Sequence, residues 1–163
     1  MGLSIEVDKN NKKIGLRTIS DFQTGKFIHR SAHLLLINSK KEILIHKRSS
    51  NKVWYPNLYT YSVSGTVKNE SYKKCIMREI KEEIGILVPV IKLLFVYKYF
   101  DKKEKAFHAL FIGKSDDKII PDKVEIQNVK WMTKEKLKKD ITKNSKKYVP
   151  HVVFGLKKYF KTN

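Results

Sequence analysis

The stretch Arg78-Glu79-Ile80-Lys81-Glu82-Glu83-Ile84-Gly85-Ile86 constrains this chain more than any other. Lys and Arg number 35 against 16 Asp and Glu, yet three of the acids crowd together here and a fourth, Glu70, lies just upstream. Apolar positions at Cys75, Ile76, Ile80 and Ile84 predict a helix over residues 71–84, with Gly85 where a left-handed cap belongs. Each helical residue turns about 100°, so Glu79, Glu82 and Glu83 share one face, spanning roughly a 100° sector. Like charges at this spacing repel by about 0.2–0.5 kcal/mol per pair in water, and by more when partly buried.

Two arrangements relieve that repulsion. Lys73, Lys74 and Lys81 are near enough for a solvated face of mixed charge. Alternatively, a divalent cation sits among the carboxylates, and hard oxygen ligands select Mg²⁺ or Mn²⁺. An ion with few protein ligands keeps positions open for water and for phosphate oxygens, which suits metal-assisted attack on a diphosphate. The combination of Glu70 before the helix, Arg78 beside the trio and Gly85 after it favours the second arrangement.

The rest of the chain predicts one domain over residues 1–163, with a mixed sheet and two or three helices. Residues 4–18 read as a hairpin turning at Lys9-Asn10-Asn11. Residues 31–38 and 42–48 read as a strand pair joined at Ser39-Lys40-Lys41, and 54–65 as a Pro-containing turn that becomes extended. Strands are expected at 90–100, 106–113 and 124–132, then a helix capped by Thr133, then a closing amphipathic helix from near Pro150.

No apolar run approaches the roughly 20 residues that cross a bilayer, and the N-terminal residues are charged where a secretory leader needs its apolar stretch. With Cys75 as the one cysteine, no internal disulfide is expected, and a reducing cytoplasmic compartment follows. The formal charge of +19 fits an anionic substrate, although 31 of the cations are Lys and four are Arg, a balance that also describes a solvated surface. The five histidines show no ligand spacing, and His33 and His108 are expected as satisfied core groups within apolar strands.

Residues 64–86, SGTVKNESYKKCIMREIKEEIGI, resemble the Nudix box: Gly, five residues, Glu, seven residues, Arg-Glu-apolar-any-Glu-Glu-any-Gly-apolar. Glu70, Arg78, Glu79, Ile80, Glu82, Glu83, Gly85 and Ile86 match at their spacings. The box's opening Gly does not, because Ser64 stands six residues before Glu70 and Gly65 five. Residues 29–59 are similar to the strand region before the box in one Nudix branch, and 124–137 to the segment after it.

The resemblance implies a Nudix α/β/α sandwich with a mixed central sheet, and a pyrophosphohydrolase using Mg²⁺ or Mn²⁺. It makes Glu79, Glu82 and Glu83 metal ligands, with Glu70 an auxiliary ligand or an orienter of the others. Arg78 is expected to pair with carboxylates and tie helix to loop. A Glu of the site, Glu82 or Glu83, takes the proton of the attacking water, and Glu125 is a further base or ligand, or else a surface acid. Gly65 lets backbone approach the phosphates, and Lys47 and Arg48 are the cations expected on the outer ones. The expected substrate is a small molecule of the nucleoside-diphosphate type, the expected assembly a homodimer, with no membrane partner.

Two rival functions have sequence support. An RNA 5′-end or cap pyrophosphohydrolase draws on the charge and on Trp54, Tyr55, Tyr59 and Tyr61 as stacking groups, which otherwise read as core and turn packing. The branch that matches residues 29–59 also resembles isopentenyl-diphosphate isomerase. That enzyme needs a Cys and, two residues on, a metal-binding His; this chain has Ser64 and Thr66 there, and Cys75 falls on the apolar side of the helix.

Overall fold

The computed structural model describes residues 2–163. A hairpin of β1 (Ser4–Val7) and β2 (Lys13–Arg17) opens the chain, with Asn11 in its turn at a φ of 64°. A short helix, α1 (Ile19–Phe22), follows it. The sequence reading missed α1, which is one turn long and rests on a capping box between Thr18 and Asp21.

The sheet is organised around β3 (Ile28–Ile37). Its neighbours are β1, β6 (Val63–Thr66) and β8 (Lys105–Lys114), the last running parallel to it from His29↔Ala106 to Ile37↔Lys114. The strand pair expected between 31–38 and 42–48 does not form as a hairpin ladder. β4 (Glu42–Arg48) parts from β3 after Ile37↔Ile43 and runs beside β5 (Tyr59–Thr60) and β9 (Ile126–Thr133). The reason is burial on both faces: β3 and β4 are buried along most of their length, with unbroken apolar runs at residues 34–37 and 43–45, so each takes separate partners deep in the sheet. β7 (Ile91–Phe100) and β8 form the expected hairpin.

Alternation along β3 builds two cores. Leu34 and Leu36 pack with Cys75, Ile76, Ile80 and Ile84 of α2 (Tyr72–Ile84). Leu35, between them, faces Leu137 and Ile141 of α3 (Lys134–Lys143) and Val152 and Leu156 of α4 (Pro150–Thr162). Helices thus cover both faces of a mixed sheet, the sandwich the sequence predicts.

Close approach of α4 to the sheet depends on Gly155. A methyl group there would overlap the Tyr61 hydroxyl and stand 2.7 Å from that of Tyr97. Those hydroxyls hydrogen-bond each other at 2.8 Å, and Tyr97 also donates to the His151 carbonyl at 3.0 Å, so neither can step aside freely. Gly155→Ala is therefore expected to destabilise by about 1–3 kcal/mol despite the gain in helix propensity. A melting curve checks it, at about 2–4 °C per kcal/mol.

Candidate active site

The N-cap of α2 is Ser71, whose hydroxyl accepts from the Lys74 amide at 3.2 Å, and the helix ends on Gly85 at φ 66°. Along it, Glu83 shares the buried side with Ile80 and Ile84 and is 7% exposed. The Glu82 side chain is 54% exposed and Glu79 lies between these extremes. The helical phase thus grades the three acids from core to solvent.

Arg78 pairs with three carboxylates. One guanidinium nitrogen donates to Glu79 at 2.6 Å and to Glu82 at 3.0 Å, and the other donates to Glu70 at 2.7 Å. Burial raises the Glu70 carboxyl, but the Arg78 hydrogen bond and charge bring it below the usual value. Glu79 goes the other way, because burial lifts it above the carboxylate range further than Arg78 lowers it. Burial also pushes Glu83 well above 4.5, with the charge of Glu79 adding to the shift. Glu83 accepts a hydrogen bond from the Ser64 amide at 3.1 Å.

Gly65 resolves the offset at the start of the box. A Cβ at residue 65 would stand 2.5 Å from Glu79 Oε1 and overlap the arm behind it. The strand β6 therefore presents Ser64's amide to Glu83 and Gly65's bare backbone to Glu79. Glycine is needed where it stands, one residue nearer the helix than the usual spacing.

A cavity of 730 Å³ opens against this wall. Glu79, Glu82, Glu83, Arg78, Gly65, Arg48 and Glu125 all line it, whereas Glu70 and Lys47 do not. Glu70 is set back, holding Arg78. Lys47 is absent for a geometric reason: successive residues of β4 point to opposite faces, so Arg48 enters the cavity while Lys47 turns toward the Tyr59 ring, 5.9 Å away. Arg48 is tethered by its Nε, which donates to the Trp54 carbonyl at 3.0 Å. Glu125, just ahead of β9, is ion-paired with Lys52, which also lines the cavity.

The cavity is also lined by Trp54 and Tyr55, two of the aromatics that the RNA reading invoked, and by His33, His151 and Glu104, which the sequence did not mark as site residues. Of the four aromatics considered for base stacking, Tyr61 is fully buried and Tyr59 packs against Tyr148 at 5.6 Å. Trp54 stacks on buried His29 at 5.2 Å.

A carboxylate helix that closes on glycine, set against a mixed sheet between helices, defines the class of the Nudix hydrolases. The NUDIX domain family matches residues 27–152, and the chain belongs to that family. It is 40% identical over 160 residues to the prenyl-diphosphate phosphatase of Methanosarcina mazei, covering 96% of this chain and 94% of that one. An isopentenyl-diphosphate Delta-isomerase of Photorhabdus laumondii is 27% identical over 137 residues, covering 81% and 77%. Among solved structures, a Deinococcus radiodurans protein superposes with a TM-score of 0.76 at 24% identity, over 87% of this chain and 90% of that one. The chain is thus an enzyme of the Nudix hydrolase type. Among the described residues, no helix is long and apolar enough to cross a membrane.

Proposed function

We propose that this enzyme hydrolyses the P–O–P linkage of a small diphosphate ester with an apolar organic group, a prenyl diphosphate. Glu83 carries the reading: a buried carboxylate at a cavity wall, beside Glu79 and with one amide as its hydrogen-bond donor, is costly unless a cation or a proton joins it. The apolar group is supported by the Methanosarcina relative and by a wall that includes Val53, Trp54, Tyr55 and Val149.

Glu79, Glu82 and Glu83 fit a divalent ion such as Mg²⁺ or Mn²⁺. All three are hard oxygen donors, and the Gly65 cradle brings the Glu79 carboxylate against open backbone. When bound, such an ion supplies Lewis-acid polarisation of the phosphoryl oxygens. The chain's own groups do the rest. Arg48, with its Nε tied to Trp54, keeps the end of its guanidinium fork for a phosphate. Glu83, held above the usual carboxylate range, suits the role of a base that takes the proton of the attacking water. The new P–O bond forms as the bond to the bridging oxygen breaks, leaving a monophosphate ester and orthophosphate. Glu125 is engaged by Lys52, which leaves this proton to the helix.

The nucleoside-diphosphate substrate expected from sequence remains the second reading, because Trp54 and Tyr55 would also receive a base. Isomerase chemistry is disfavoured, since Ser64 lines the cavity where that enzyme needs its thiol. A panel with Mg²⁺ decides: isopentenyl, geranyl and farnesyl diphosphate, ADP, ADP-ribose, nucleoside triphosphates and 5′-triphosphate RNA. We expect kcat/KM to be highest for a prenyl diphosphate, and Arg48→Lys to raise KM more than it lowers kcat, because a point charge cannot reproduce the fork. A preference for nucleotides would overturn the apolar group. Preference for RNA, declining steeply with salt, would replace it with a nucleic-acid substrate.

A further inference from the structure

Four of the five histidines converge, although only His29 and His33 are close in sequence. His29 and His33 come from β3, His108 from β8, and His151 from the first turn of α4; all four are buried. One ring nitrogen from each of His33, His108 and His151 lies within 4.8 Å of the others. The His108 and His151 rings stack with centroids 4.2 Å apart. Glu104, 3% exposed, closes the group: it accepts from His151 at 2.9 Å and lies 4.0 Å from His108 Nε2.

A structural cluster should use all its hydrogen-bonding groups, and this one leaves some unmet. His108 Nε2, His151 Nε2 and both nitrogens of His29 are buried without a hydrogen-bond partner. Leaving a buried polar group unmet destabilises the fold. The expectation that His33 and His108 are satisfied core groups is therefore corrected for His108. His33 is met on both sides, by Ser64 Oγ at 2.9 Å and His108 Nδ1 at 2.9 Å. Burial drives His33 and His108 well below 6.5, toward the neutral imidazole that ligates metals. The group is open to ligands, since His33, His151 and Glu104 line the same cavity as the glutamate helix.

We propose that His33, His108 and His151, with Glu104 as the anionic ligand, form a second metal site beside the cavity, selective for a borderline transition ion such as Zn²⁺ over Mg²⁺. Imidazole suits zinc, cobalt and copper, whereas magnesium demands oxygen. A tetrahedral ion with bonds of about 2.0–2.1 Å would draw in donors that already stand near one another. Ser64 joins the two sites, with its hydroxyl on His33 and its amide on Glu83.

The test reads coordination rather than turnover, so it does not depend on the diphosphate reading. Full-length protein stripped by chelation is titrated with Co²⁺. Wild type and Glu82→Gln should both develop the intense visible bands of a four- or five-coordinate nitrogen site. His108→Gln should weaken Co²⁺ binding by more than about tenfold, as even outlying partners of ligands are worth that much. If circular dichroism shows His108→Gln unfolded, Cu²⁺ bound to wild type should show nitrogen superhyperfine lines in its paramagnetic resonance spectrum. Only the weak bands of an all-oxygen ion, bands unchanged in folded His108→Gln, or a Cu²⁺ spectrum without nitrogen coupling would each overturn the proposal.

Discussion

Glu83→Gln is expected to lower kcat by about 10²–10⁴-fold while leaving the fold as stable as wild type or more so. The loss follows from removing the carboxylate proposed as base and ligand. The gain follows from burial: the wild-type group must take up a proton or carry a charge beside Glu79 in a 7% exposed position, whereas an amide is neutral at every pH. Gln can still accept the Ser64 amide, so the hydrogen bond survives. The two effects differ in sign, which separates a lost function from a lost fold.

Linkage gives the same variant a pH signature. The folded-state pKa of Glu83 is raised, chiefly by burial, from 4.5. Its contribution to stability is therefore fully present below about 4.5 and is lost as the pH rises toward and through the folded value. In divalent-free buffer the melting temperature of Glu83→Gln minus that of wild type should grow over that window. Added Mg²⁺ should shrink the difference, because an ion bound by the native carboxylates stabilises wild type by mass action. A difference that stays flat with pH and ignores magnesium would remove both the raised pKa and the ligand role.

Gly65→Ala is expected to be nearly as damaging to activity, through position rather than chemistry. The added methyl occupies space held by the Glu79 side chain, which is bound to Arg78 at 2.6 Å. Something must move, and the flexible end is the carboxylate. Displacing a ligand or reacting group by about 1 Å can cost about 10²-fold, so kcat should fall by roughly that much. The stability cost should stay within about 1–3 kcal/mol. Calorimetric titration with Mg²⁺ distinguishes this from general damage: weakened metal binding in a protein with a native melting transition is the expected pair. Unchanged affinity for Mg²⁺ would show that Glu79 does not hold the ion.

Much of the glutamate wall was legible because it is local. The i, i+3, i+4 spacing places Glu79, Glu82 and Glu83 on one helical face whatever the helix packs against. Seven residues from Glu70 bring Arg78 within reach of it, and the pairing found follows. Less local choices were harder. The turn at 39–41 suggested that β3 and β4 pair, yet nearly all of their ladder partners come from farther along the chain. Adjacent cations at 47 and 48 looked equivalent until strand alternation sent one into the cavity and the other to Tyr59.

By itself, then, the order of residues determined the carboxylate helix, its glycine cap, its arginine clasp and the alternation that makes a two-sided sheet, since each depends on neighbours within a few positions. Tertiary structure decided which grooves those elements share. It set Gly65 against Glu79, and it brought His33, His108 and His151 into one cluster by laying β8 parallel to β3 and folding α4 back across them. No periodicity encodes such a meeting, because strands that pair in parallel must be linked by long excursions, and the contacts that result carry no fixed spacing.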